Sequence, residues 1–389
     1  MSATPESYDV IIAGAGPGGG TAAYFLSQAG LDVLVLEKET FPRYKTCGGG
    51  VSPAFLAQVF PFSFEPVLCS HVRTASYELG GQRVSMPLPP GKIGMVMRAD
   101  FDAHILAHAR ADVRFGAAVK EVSELTDRVT VTTRDGRRYQ ACYLIGSDGA
   151  SSIVARSLGL QRRHKMMAAI EIEAPASEAV RAAFQDHALF IFGEIKNGYL
   201  WIFPKGDHLS VGIGALSPRP GELQARLRQV MQRFSITLDG LTFHGHPIPL
   251  YSLRRQARAP ITTRRCLLVG DAAGLVDPLT GEGIRMAIKS GRLAAQALLA
   301  GRPERYPQLV ERAIRRSHNF GAVLARVFYR FPKACFYLGV RNPAASHAFI
   351  DLLSDRTSYP QVIARLFGSL PFFLARQTLQ ALVPLRSSH

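Results

Sequence analysis

The stretch Asp9-Val-Ile-Ile-Ala-Gly14-Ala-Gly16-Pro-Gly-Gly19 runs from an apolar segment straight into a glycine turn. Asp9 to Ala13 reads as a short buried strand. Gly16 opens a helix extending to about Ala29, and Asp32 to Leu36 (DVLVL) is a second buried strand, so the three form a βαβ unit. The glycines match GxGxxG at the point where strand becomes helix. Gly14 permits the tight turn, Gly16 lets backbone approach a pyrophosphate, and Gly19 with Ala23 lets the helix lie close on the sheet. The helix N-terminus then offers free N–H groups and a positive dipole to phosphate. A glycine-rich turn alone is common in α/β proteins. Here Glu37 ends the second strand, where a carboxylate can accept both ribose hydroxyls of an adenosine, and the combination predicts dinucleotide binding.

The rest of the chain sets limits on that reading. Its 389 residues are 47% apolar and 20% charged, enough for a large core. Five cysteines (Cys47, Cys69, Cys142, Cys266, Cys335) stand singly, without the spacing of a zinc site or a disulfide framework, so no metal is expected and a reducing cytoplasm fits. Neither a signal-peptide pattern at the N-terminus nor a long uninterrupted apolar window occurs, and a protein neither secreted nor membrane-spanning is expected.

The net charge is +16, of which residues 301–389 contribute +9. That tail interleaves Arg365 and Arg376 with the apolar clusters Leu366-Phe367, Leu370 to Leu374 and Leu379 to Val383. The pattern suits an amphipathic element on an anionic membrane surface, with a plain helical cap as the bland alternative. Nucleic acid is not expected as a partner, because no helix-turn-helix, aromatic RNP-type strand or dense basic run is present.

Beyond the βαβ unit, Val129 to Thr133 alternates with period two and turns through Asp135-Gly136 into a strand ending at Ile145. Ala168–Ile172, Ala188–Ile195, Tyr199–Phe203 and Leu209–Ile213 read as four strands of an antiparallel sheet. Cys266 to Val269 is another buried strand, followed by a helix from about Gly283 to Leu299. Helix dominates from Tyr306, punctuated by Pro332, Pro343, Pro360 and Pro371.

Two further motifs bear on which dinucleotide is bound. Gly270-Asp271 ends an apolar strand, and Asp277-Pro278-Leu-Thr-Gly281-Glu-Gly283-Ile284 leads into a helix. Asp271 can bind ribityl hydroxyls. Pro278 and the Gly281 to Ile284 turn bring a helix N-terminus towards the pyrimidine edge of an isoalloxazine, which is anionic when reduced. Between the GxGxxG turn and Gly270 lies Gly146-Ser-Asp148-Gly149, with Arg156 shortly after.

Over roughly residues 8–300 this ordered set resembles the FAD-dependent oxidoreductases of the p-hydroxybenzoate hydroxylase type. Cys47-Gly-Gly-Gly50 and Tyr199-Leu-Trp201-Ile-Phe203-Pro204, followed by Val211-Gly212-Ile-Gly214, narrow the resemblance to the geranylgeranyl reductase family. The resemblance implies an α/β fold with a Rossmann-type FAD-binding domain, an inserted antiparallel β-sheet substrate domain and a C-terminal helical region. The expected boundaries are 1–61, 95–160 and 260–304 for the FAD domain, 62–94 and 161–259 for the substrate domain, and 305–389 for the basic helical region. FAD contacts are implied for Ala15, Glu37, Gly48, Arg98, Val122, Asp271, Gly283 and Ile284, beside Gly14, Gly16, Gly19, Asp148, Pro278 and Gly281.

The family saturates prenyl double bonds, so an isoprenoid substrate is implied, with Gly50, Tyr199, Trp201 and Phe203 lining its site. An isolated alkene is not electrophilic, so hydride addition needs protonation at the neighbouring carbon; Cys47 or Tyr199 would relay that proton. A buried cysteine can equally be a small hydrophobe, and alternating aromatics can be plain core. His244-Gly-His246 lacks nearby acids and reads as structural. One GxGxxG leaves the electron donor as NADPH docking transiently or an acidic ferredoxin drawn to the basic surface. A monomer is expected, in the cytoplasm and at the inner face of the membrane. The rivals are a flavin monooxygenase or halogenase on the same fold, with support from Lys45 and the tryptophan strand, and a non-catalytic flavoprotein that binds a prenylated lipid or passes electrons.

Overall fold

A computed structural model describes residues 5–160, 165–253 and 260–382. The expected boundaries at residues 161 and 259, and the tail from Val383 to its end at 389, lie outside the described residues.

Two large sheets organise the chain. In the first, Asp112–Arg114, Val33–Leu36, Glu6–Ala13 and Arg138–Gly146 run parallel in that spatial order. Val129–Thr133 and Val119–Glu124 extend it as an antiparallel edge, while Cys266–Leu268 pairs in parallel with the far half of Arg138–Gly146. Both faces are covered. Val10 to Ala13 and Val33 to Leu36 are therefore fully buried runs rather than alternating strands, as parallel pairing demands. The helix Pro17–Gln28 packs against Ile284–Leu299 so closely that a Cβ at Gly291 would collide with the Gly18 carbonyl.

The second sheet has seven strands in the order His244–Pro249, Met166–Ala174, Leu209–Leu216, Gly198–Pro204, His187–Phe192, Thr74–Leu79, Gln82–Pro87. The four strands read from the sequence are present and pair antiparallel as expected, and one parallel pairing extends the sheet beyond them. His187–Phe192 pairs in parallel with Thr74–Leu79, a strand far away in the chain, and that pairing is a tertiary decision that no local pattern encodes. One face of this sheet (Ile172, Leu189, Ile191, Leu200, Ile202, Val211, Ile213) buries Leu223, Leu227, Val230 and Met231 of the helix Glu222–Gln232. Its other face carries Tyr199, Trp201 and Phe203 in one row, packed with Phe190, Ala169 and, from the C-terminal region, Phe336 and Ile350.

A small sheet of Gly50–Val51, Ile93–Val96 and Leu68–Val72 joins the two large ones. It anchors the loop before Gly50 from its C-terminal end.

The C-terminal region is helical, with one difference from expectation. Pro332, Pro343 and Pro360 sit in first turns, where a missing N–H costs nothing, but Pro371 lies inside the 24-residue helix Tyr359–Leu382. This region is keyed into the fold by charge. Arg285, 5% exposed, binds Glu282 and Asp355, Lys289 also binds Asp355, and the Tyr359 hydroxyl donates to Asp277 Oδ1 at 2.7 Å. A Cβ at Gly321 would strike the Tyr359 ring, so the two helices meet at close range there.

Candidate active site

The site begins at the open N-terminus of Pro17–Gln28. Its N-cap is Gly16, which has no side chain to occupy the first-turn N–H groups, so these remain available to an anion. Gly14 holds φ +96° and its N–H donates to the Leu36 carbonyl at 2.8 Å. Glu37 is buried at the end of its strand, with Oε2 accepting from Ala15 N at 2.7 Å and Oε1 from Glu39 N at 3.1 Å. Those bonds orient the carboxylate at the mouth of the glycine turn.

Two arginines stand over that turn. Arg98 binds Asp102 through Nε at 2.8 Å and Nη2 at 2.7 Å, and Arg43 Nη2 reaches the same carboxylate at 3.0 Å. A Cβ at Gly16 would lie 3.8 Å from Arg98 Nη2 and 4.0 Å from Arg43 Nη2. Burial opposes the Arg98 charge, but Asp102 outweighs it and the guanidinium stays charged, its affinity for the proton raised. Arg43 Nη1 is buried without a hydrogen-bond partner. An orphaned guanidinium nitrogen, a second arginine and an uncapped helix facing the same space fit a diphosphate. Arg98 was read from the sequence; Arg43 and Asp102 were not, although Arg43 lies in the basic loop Phe41 to Lys45.

The second half of the site is the turn Asp277 to Gly283. Asp277 Oδ1 accepts from Leu279 N and Thr280 N, both at 3.0 Å, Gly281 takes φ +73°, and Gly283 is another N-cap without a capping side chain. This second open helix end meets the requirement of a reduced, anionic ring edge. Asp271 lies beside it: a Cβ at Gly283 would be 3.2 Å from Asp271 Oδ1. Burial pushes the Asp271 carboxyl up, offset by Lys45 and Arg98. Pro278 is in the same turn, and Ile284 packs beneath it with Phe101 and Val51.

The Cys47 loop closes over the aromatic row. A Cβ on Gly48 would sit 2.9 Å from Phe203 Cε2 and 3.3 Å from Trp201 Nε1, so only glycine admits this approach. Gly49 has φ +70° and lies against the Val96 carbonyl and the Lys205 ammonium, while its N–H donates to Cys47 Sγ at 3.4 Å. Gly50 pairs with Met95. Tyr199 donates its hydroxyl to the Thr280 carbonyl at 2.6 Å, and burial raises its pKa so that the phenol stays protonated. The structure thus brings Cys47, Gly48, Gly50, Trp201, Phe203, Tyr199 and the Gly281 turn to one place.

Other expected residues lie further out. Asp148 Oδ2 accepts from Ile153 N at 2.6 Å and Val154 N at 3.0 Å, capping the short helix Ile153–Ser157, and its Oδ1 is buried and unpartnered behind the Gly14 turn. Val122 is on the strand Val119–Glu124, with its side chain in the core of the first sheet. His246, read from the sequence as structural, meets Lys45, whose Nζ lies 2.9 Å from its Nε2 and 3.0 Å from its Nδ1. Burial and Arg98 lower Lys45 to about 8, and burial and Lys45 lower His246 to about 4, so the imidazole is neutral and accepts.

Comparison with known proteins agrees with this architecture. The FAD binding domain family model matches residues 7–54 and 96–325. A menaquinone reductase of Mycobacterium tuberculosis is 32% identical over 319 residues, covering 75% of this chain and 77% of that one. A digeranylgeranylglycerophospholipid reductase of Methanosarcina acetivorans is 30% identical over 317 residues, covering 75% of each. Among solved structures, a geranylgeranyl bacteriochlorophyll reductase-like protein from Thermoplasma acidophilum superposes with a TM-score of 0.78 at 24% identity, covering 98% of this chain and all of that one. At that identity the structural likeness speaks to the fold alone.

Proposed function

We propose, from the premise that this chain belongs to the FAD binding domain family and is an FAD-dependent oxidoreductase of the geranylgeranyl reductase type, that it saturates prenyl C=C bonds of an isoprenoid lipid, quinone or chlorophyll precursor. The observation that carries this reading is the Cys47 loop laid on an apolar, aromatic wall, where Gly48 meets Trp201 and Phe203.

Bound FAD, once reduced, supplies hydride. The chain's residues do the rest. Gly14 to Gly19, with Arg43 and Arg98, hold the diphosphate; Glu37 takes the adenosine ribose; Asp271 and the Pro278 to Gly283 turn hold the ribityl chain and ring edge. Trp201, Tyr199 and Phe203 exclude water and stabilise positive charge developing at the more substituted alkene carbon by cation–π attraction. Cys47 would supply the proton to the neighbouring carbon. The Tyr199 proton is engaged with Thr280, so this phenol positions the ring-edge turn as well as lining the pocket. The electron donor is NADPH or a ferredoxin, and the net charge of +16 favours an acidic donor surface.

The test is anaerobic. The yellow protein is reduced with dithionite and mixed with geranylgeranyl diphosphate, a quinone or a prenylated lipid, and the prenyl product is weighed by mass spectrometry. Gain of hydrogens in pairs is expected. No gain on any substrate, together with aerobic NADPH consumption and oxygen insertion, would replace the reading with an oxygenase; inertness in both assays would leave a binding or electron-transfer flavoprotein.

The same reading includes contact with a membrane. Among the described residues no helix is long and apolar enough to cross one. The helix Tyr359–Leu382 nevertheless presents Phe367, Phe372 (80% exposed) and Leu379 to solvent beside Arg365 and Arg376, and Phe320, Val323, Val327 and Phe331 are exposed on or just after Arg316–Arg330. Apolar residues rimmed by arginines fit an anionic surface. Sedimentation with vesicles containing phosphatidylserine is expected, weakening in salt and lost in Phe367→Asp/Phe372→Asp. Equal binding of that variant and the parent would rule out this helix as the contact.

A further inference from the structure

Glu171 is 0% exposed yet belongs to the face of the second sheet that carries the aromatic row. It stands opposite Gly212 on one side and His244 on the other, and Gly212 in turn stands opposite Trp201. Because Gly212 has no side chain, the Trp201 indole lies across it towards the acid; a Cβ there would overlap the ring. Ser210 bridges the two: the indole Nε1–H donates to Ser210 Oγ at 3.3 Å, and Ser210 Oγ–H donates to Glu171 Oε1 at 2.6 Å. Glu171 Oε2 is buried without a hydrogen bond of good geometry, and the Cys47 backbone N–H is near enough to favour its charged form.

A buried carboxyl with one unsatisfied oxygen is costly as an anion and comfortable as an acid. Burial and the neighbouring Glu173 push it up to about 7 against the opposing pull of Ser210, Lys205 and the Cys47 backbone. Tyr44, its ring tilted by 42° against His244 with centroids 4.3 Å apart, is a further ionisable group near it.

We propose that Glu171 is a positioning acid of this site, which restores the proton that Cys47 gives to the alkene and holds Trp201 through Ser210. The proposal rests on the reductase reading. In each turnover the Cys47 S–H bond breaks as the new C–H bond forms, while the other hydrogen and its electron pair arrive as hydride from reduced flavin. The Glu171 O–H proton then passes to the thiolate, and solvent reprotonates the carboxylate before the next turnover.

The experiment is a pH profile of anaerobic prenyl reduction for the parent, Glu171→Gln and Ser210→Ala. Parent turnover is expected to fall as pH rises through about 7, where the acid is lost. Ser210→Ala removes a bond that favours the anion, so its fall is expected at higher pH. Glu171→Gln keeps a partner for Ser210 but has no proton to give, and is expected to turn over ~10²-fold more slowly with no such fall. Parent-like rate and profile in Glu171→Gln would overturn the proposal, as would an unmoved profile in Ser210→Ala.

A melting-temperature comparison separates this proposal from the reductase reading, since it needs no substrate. The raised carboxyl means that ionisation costs stability above the ordinary glutamate range and nothing below it. Glu171→Gln is therefore expected to gain on the parent at alkaline pH and not in acid. If no substrate is reduced but this difference appears, the reductase reading fails and the buried acid stands; a difference independent of pH removes the acid itself.

Discussion

Gly19→Ala is expected to yield a colourless, destabilised protein. The added Cβ would fall on the Gly14 carbonyl oxygen, with the Ile12 side chain next to it at 3.2 Å. Neither obstacle can swing aside. Gly14 is fixed by its own φ of +96° and by its bond to Leu36, and Ile12 is fully buried between strands. The helix Pro17–Gln28 must therefore lift off the sheet, which also pulls it from Ile284–Leu299, where Gly18 and Gly291 are in backbone contact. Overpacking of this kind costs ~1–3 kcal/mol or more, and the displacement carries the phosphate-binding N–H groups away with it. Flavin absorbance after gel filtration and a melting curve check both halves of the expectation. Gly368→Ala is the control: no atom lies within 4 Å of its new Cβ, and in a helix it should be neutral or stabilising by ~0.5–1 kcal/mol. A yellow Gly19→Ala protein melting with the parent would mean that the turn is slack and that close helix packing does not hold the phosphate site.

Cys47→Ala is expected to retain flavin and lose turnover ~10²-fold or more. The thiol is half-buried, accepts a weak bond from Gly49 N, and has the Arg98 guanidinium close by, so its removal strips no strong structural contact. Tyr199→Phe is different in kind. Its hydroxyl holds the Thr280 carbonyl, and its loss should cost ~1 kcal/mol, seen first as weaker flavin retention and only then as slower turnover. The two variants separate proton supply from positioning. Anaerobic single-turnover rates with flavin loading measured alongside make the distinction. Unchanged turnover in both variants and in their combination would sink proton relay through either residue.

The parts of this protein that its sequence determined alone share a physical character. The βαβ unit, the GxGxxG turn and Glu37 lie within forty residues, and each is dictated by local rules: uninterrupted apolar runs for strands buried on both faces, glycine where φ is positive or a carbonyl crowds the Cβ, and an acid at a strand end. The period-two aromatics of Tyr199, Trp201 and Phe203 were legible for the same reason, since alternation along one strand needs no partner.

What only the tertiary structure decided depends on contacts between distant segments. Glu171 reads in sequence as one acid in the alternating stretch Ile170-Glu-Ile-Glu173. It becomes a buried site acid because strand register sets it opposite Gly212 and Ser210 reaches it from the adjoining strand. Arg43 and Arg98 are 55 positions apart and converge because Asp102, fully buried, attracts both guanidinium groups. Tyr359 reaches back to Asp277 across 82 positions, so helices that look like a separate basic tail brace the turn at the ring edge. Hydrophobic period states which face of an element is buried but not what it is buried against. Partner choice comes from packing and charge neutralisation summed over the whole core, a quantity no local window contains.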